Sequence, residues 1–175
     1  MNVDYHDVEQ WLSDGSCDLG FVALPTRQRG RVTALLEDRL LAVVPRDHRL
    51  ASLPRFPIKE VEHEPFISLL ETSDHDARRA LEAAGVTPNI RYTTKDDYAI
   101  IAMVEQGLGV SIMPELLLSG RSDNVRVMEL TPPASRTIGL CLPDADRAGP
   151  ATLRFADCVS DWVREHYSRL QNTLS

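Results

Sequence analysis

Asp96-Asp-Tyr-Ala-Ile-Ile-Ala-Met-Val-Glu-Gln-Gly-Leu-Gly-Val-Ser-Ile-Met-Pro114 packs a cap, a helix, a break and a strand into one run. Asp96 is a residue type whose side chain accepts from the unpaired amides of a first helical turn. From Asp97 to Gln106 the apolar residues Tyr98, Ile100, Ile101, Ala102, Met103 and Val104 cover much of a helix's circumference, which predicts burial on more than one side. Gly107-Leu-Gly109 ends that helix and lets the next segment approach closely. Val110–Met113 then reads as a short buried strand, and Pro114 opens a short helix to Leu118. These glycines follow the helix instead of leading into it, so they do not make a phosphate-binding turn.

Working outward, Asn89–Thr93 is a strand feeding this helix, with Thr94 or Asp96 as its cap. Pro65–Leu69 is another strand, followed by Thr72 and Ser73 as caps of a helix that sets Ala77, Ala80, Leu81 and Ala84 on one face and stops at Gly85. Toward the N-terminus, Val8, Trp11 and Leu12 share a helical face before Gly15, and Asp18–Leu24 is a short strand closed by Pro25. Val32–Leu36 and Arg39–Val44 read as two extended stretches parted by Glu37-Asp38, and a helical turn falls near Ile58–Val61. Toward the C-terminus, Val125–Leu130 and Thr137–Leu142 read as two further strands. A long helix from Pro150 to about Leu170 follows, with Phe155, Val159, Trp162 and Val163 on its core face. Strands alternating with helices predict an α/β fold with a mostly parallel sheet.

The chain has 175 residues, 43% hydrophobic, enough for one ordinary domain or two small lobes. Lys+Arg of 19 against Asp+Glu of 26 leaves a formal charge of -7, the opposite of what gripping a phosphate backbone requires, so the chain is not expected to bind DNA directly. Cys17, Cys141 and Cys158 are far apart and odd in number, which fits a reducing cytoplasm and excludes a paired disulfide framework. Neither an export signal nor an apolar run of membrane-spanning length is present, so no membrane partner is expected. His6, His48, His63, His75 and His166 are scattered without metal-ligand spacing. Asp96-Asp97 and Asp74-His75-Asp76 lack an activated nucleophile, so no enzyme activity, metal or cofactor is expected. The arginines at 27, 29 and 31 read as a solvated loop.

Four segments resemble, in order and spacing, the effector-binding domain of LysR-type transcription regulators of bacteria. These are Trp11-Leu-Ser-Asp-Gly-Ser-Cys-Asp-Leu-Gly-Phe21, Leu41-Ala-Val-Val-Pro-Arg-Asp-His-Arg-Leu-Ala51, Ala84-Gly-Val-Thr-Pro88 and the run 96–114. The resemblance implies two Rossmann-like lobes of the type II periplasmic-binding-protein kind, joined by crossings near Leu36–Leu40 and Thr131–Ile138, with a small-molecule effector held between them. Lobe I would take residues 1–38 and 133–175, with the C-terminal helix, and lobe II residues 39–132. A complete regulator of this kind opens with a winged helix-turn-helix, and its sensory part with a strand, helix and strand. Neither has a counterpart here, so lobe I is expected to be incomplete and to be covered by a second copy in a homo-oligomer, a dimer, with DNA reached only through the absent module. The same fold also serves free-standing solute-binding proteins, the alternative reading.

Open α/β sheets bind ligands beyond the carboxyl ends of their strands, where helix N-termini offer free N–H groups. The candidate ligand residues are therefore Ser68 and Leu69 running into Thr72 and Ser73, Thr94 running into Asp96, and Met113 running into Pro114. On lobe I the matching rim is Val22 and Leu24. Thr72, Ser73 and Asp96 are equally read as ordinary helix caps. With the amides at the 73, 96 and 114 helix starts left free, the ligand is expected to be small and anionic.

Overall fold

The computed structural model describes the backbone of residues 5–70, 75–118 and 124–173, and the side chains of 7–70, 76–118 and 124–167. The chain divides into two compact units, Met1–Glu37 with Thr137–Ser175, and Asp38–Arg136.

In the first unit, α1 (Tyr5–Asp14) packs Val8 and Leu12 over β1 (Gly20–Leu24), whose Val22 is fully buried with Leu12 and Cys141. β1 pairs antiparallel with the end of β7 (Val125–Leu142), Gly20 opposite Cys141 and Leu24 opposite Thr137. Gly30 has φ +107, and a Cβ there would sit 2.3 Å from the Leu142 carbonyl oxygen, so the turn into β2 (Arg31–Pro45) accepts only glycine. α5 (Pro150–Thr173) buries Ala156 and Val163, with Leu153 and Val159 partly covered. The sequence places Phe155 and Trp162 on this core face as well. They are instead 52% and 55% exposed, because the buried stripe runs through the small Ala156 and leaves the two aromatics outside it.

In the second unit, β2 pairs antiparallel with β6 (Ser111–Pro114), Leu40 opposite Pro114. β3 (Phe56–Pro57) lies parallel to the first part of β7, and a 3-10 turn over Ile58–Glu62 follows it. β4 (Phe66–Leu69) runs parallel to β5 (Ile90–Thr94), and Phe66 forms a parallel bridge to Val110 beside β6. α2 (His75–Ala83) buries Ala77 and Leu81, and α3 (Asp97–Glu105) buries Ile100, Ile101 and Val104. α4 (Glu115–Leu118) is a single turn. Gly107 ends α3 at φ +72, and a Cβ on Gly109 would sit 2.3 Å from the Pro65 carbonyl oxygen. β4 and the start of β6 therefore touch backbone to backbone, as the glycine pair predicts.

Three sequence expectations need correction. The ladders are mixed, since β2 and β7 meet β6 and β1 antiparallel. β2 and β7 are each one continuous strand where two were expected. Glu37-Asp38 does not break β2, because the Asp38 charge meets Arg136 inside the protein. β7 runs through Pro132 and Pro133, both of them exposed, and proline within a strand keeps to positions that donate no ladder hydrogen bond.

Candidate functional site

Because β4, β5 and β6 run in one direction, their carboxyl ends, Leu69, Thr94 and Pro114, fall on one edge of the second unit. Ser68 sits opposite Thr93 and Leu69 opposite Thr94, and the Leu70 amide donates to the Thr94 carbonyl at 2.9 Å. Ser68 donates its hydroxyl to the Leu69 carbonyl at 2.9 Å. Met113 is buried among Ile67, Ile100, Ile101 and Val104, so it supports the rim from below. Pro114 is half-buried opposite Leu40.

Asp96 caps α3, accepting from the Tyr98 amide at 2.8 Å, and the Thr94 hydroxyl oxygen accepts from the Asp96 amide at 3.2 Å. The start of α4 is taken as well, since Asp38 Oδ1 accepts from the Leu116 amide at 3.1 Å. Two of the three helix starts expected to offer free amides thus carry a carboxylate of the protein's own. Thr72 and Ser73 lie outside the described residues. In the first unit Val22 is fully buried and its side chain serves the core, whereas Leu24 is half-buried beside it.

Sequence reasoning missed the most polar feature of this rim. Asp38, Arg136 and Asp76 are all buried. Arg136 donates from Nε and Nη2 to Asp38 Oδ2 at 2.9 and 2.8 Å, and from Nη1 to Asp76 Oδ2 at 3.3 Å. Asp76, in the first turn of α2, also pairs with Arg79. Burial pushes the Asp38 carboxyl above its ordinary range, opposed by the Arg136 charge and the Leu116 N–H. One signal in the sequence pointed here: two-residue alternation places Asp38 on the same strand face as Leu40, Ala42 and Val44, all buried in the main core. A charge on that face must be paired. Near it an exposed set repeats the linkage, with Arg39 bidentate to Glu115 at 2.8 and 2.6 Å and reaching Glu129 at 3.0 Å.

Elsewhere, the arginines at 27, 29 and 31 are exposed, as expected of a solvated loop. Among the described residues no group of His, Cys, Asp and Glu is arranged to hold a metal ion. No helix among them is long and apolar enough to cross a membrane.

Residues 2–164 match the LysR substrate binding domain family. The uncharacterized HTH-type transcriptional regulator YvbU of Bacillus subtilis is 27% identical over 158 residues, covering 89% of this chain and 54% of that protein. The probable HTH-type transcriptional regulator LrrA of Synechococcus elongatus is 26% identical over 172 residues, covering 94% of this chain and 56% of its own length. This chain therefore spans about half the length of these relatives. Among solved structures, the CcmR regulatory domain of Synechocystis in complex with 2-PG superposes with a TM-score of 0.83 at 18% identity, covering 94% of this chain and 82% of that one. The effector binding domain of QuiR in complex with shikimate gives 0.80 at 21% identity, covering 94% and 80%. At these identities the superpositions establish the α/β fold of such regulatory domains.

Proposed function

The chain belongs to the LysR substrate-binding domain family, and from that premise we propose that it is the effector-sensing part of a transcription regulator, taking a small anionic metabolite at the strand ends of the second unit. The observation that carries this reading is the convergence of Leu69, Thr94 and Pro114 on one edge beside the start of α3, the position where open α/β sheets take their ligands. Support for an anion comes from the shikimate, a carboxylate, and the 2-PG held by the two superposed domains. It does not come from free helix starts, since those of α3 and α4 are capped. The relatives are named as regulators of transcription, which favours sensing over free-standing solute transport and over catalysis.

Binding is tested by thermal shift with shikimate, 2-PG and a panel of small carboxylates, followed by calorimetry on each hit. Stabilisation by an anion that is lost in Thr94→Val supports the reading; stabilisation only by cations or apolar compounds overturns it. The chain alone is further expected to leave duplex DNA unbound at physiological salt, because its net charge of -7 repels the backbone. Salt-sensitive, submicromolar binding to a promoter fragment would contradict that. In the complete regulator, occupancy of the rim would act by favouring one conformation of the assembly over another. That assembly is proposed to be a homodimer in the cytoplasm.

A further inference from the structure

We propose that Asp38, Arg136 and Asp76 form a buried clasp that fixes the two points where the chain enters and leaves the second unit to the first turns of α2 and α4. Asp38 and Arg136 are the first and last residues of that unit. They stand on β2 and β7, which are neighbours in the sheet. One carboxylate therefore meets three donors from two directions: Arg136 Nε and Nη2 on Oδ2, and the Leu116 amide on Oδ1. The other face of the same guanidinium reaches Asp76 on α2. Four elements are tied through one pair, an arginine whose side chain is 8% exposed and an Asp38 side chain exposed at 0%, the arginine reaching α2 and the aspartate reaching α4.

A hydrophobic pair of the same volume would pack these strands as well or better, since buried ion pairs are weak contributors to net stability. What directional hydrogen bonds add is a single permitted arrangement. A guanidinium facing two carboxylates accepts little rotation or sliding before one pairing is lost and a buried charge is left alone. The clasp thus positions α2 and α4 against the edge formed by Leu69, Thr94 and Pro114. Its importance for an effector rests on the reading of that edge given above; its existence as a clasp does not.

The test is amide hydrogen exchange on the whole chain without any ligand, comparing wild type with Arg136→Met, Arg136→Lys, Asp38→Asn and Asp76→Asn. In Arg136→Met the Leu116 amide and the α2 amides should exchange at least tenfold faster, while the Ile100–Glu105 amides of α3 stay at the wild-type rate. Arg136→Lys should restore part of the protection. If Arg136→Met does not fold, the milder pair decides: Asp76→Asn should loosen α2 and leave Leu116 protected, and Asp38→Asn should loosen Leu116 first. Uniform loss of protection across the unit, or unchanged rates at both Leu116 and α2, overturns the clasp. Failure of every anion to bind leaves this result untouched, so the clasp and the effector reading fail separately.

Discussion

The two units solve the same problem with unequal means. The second closes a large core around Phe56, Ile58, Phe66, Ile112 and Leu130, adds a second cluster around Ile67, Ile100 and Met113, and buries a charge network at its edge. Among the described residues, the first has two clusters of three buried residues each. It leaves Phe21, Phe155 and Trp162 about half exposed, and Phe155 lines an open cavity of about 370 Å³ with Cys17, Asp18, Leu19, Ala151 and Thr152. Large aromatics stabilise a fold only in proportion to the area they take out of water. Stability should therefore be concentrated in the second unit, while the exposed aromatics Phe21, Phe155 and Trp162 of the first are the ones that tolerate change.

The sharpest way to break this contrast is a matched pair of truncations. Phe66→Ala empties a site that is 1% exposed and should cost about 3–5 kcal/mol, whereas Phe155→Ala should stay within about 1 kcal/mol; chemical denaturation of each measures both. Equal losses would mean that Phe155 is covered in solution, and light scattering would then report whether a second copy covers it.

Next in size is the contrast between buried and exposed charge inside the second unit. Removing one partner of the buried pair, as in Arg136→Met, should cost about 3–5 kcal/mol because Asp38 is left unpaired. Asp38→Asn with Arg136→Met together should recover much of that. Arg39→Ala, which breaks an exposed network whose arginine side chain is 47% exposed, should cost about 1 kcal/mol or less. The pH dependence has a sign as well. Because burial raises the Asp38 carboxyl above 3.8, its contribution to stability is fullest below that value and falls as pH rises through the folded value. Wild type should thus lose, relative to a double variant lacking this pair, as pH climbs out of the acid range.

The smallest effect separates the thiols. Cys158 is exposed on α5 and Cys141 is buried under α1. Burial, with the Glu9 charge adding to it, pushes the Cys141 thiol above its ordinary value. Thiolate is the reactive form, so an alkylating reagent at pH 8 should modify Cys158 first and reach Cys141 only on unfolding. Mass spectrometry of the digested chain reads the order.

Most elements were legible because local signals agreed: Asp96 at a cap, Gly107 and Gly109 at a break, apolar runs of strand length. What the sequence concealed came from partners distant along the chain. Asp38 looked like an interruption because the arginine that neutralises it is residue 136, and the segment between Leu130 and Thr137 was not read as strand although β7 runs through it. Phe155 and Trp162 looked internal because helical spacing selects a stripe but does not say which of two adjacent stripes is covered. The candidate rim residues were read from strand ends and helix starts. Capping by Asp96 was already legible at α3, whereas the carboxylate on the α4 start came from Asp38, distant along the chain, and was not.

Mapping a bound anion tests the central claim most directly. Amide hydrogen exchange should be followed with and without the best stabilising carboxylate from the thermal-shift panel. Exchange should slow, within the second unit, only in the segments around Leu70, Thr94–Tyr98 and Leu116. An anion that stabilises the protein while leaving those amides unchanged, or a panel in which no anion binds at all, would contradict it.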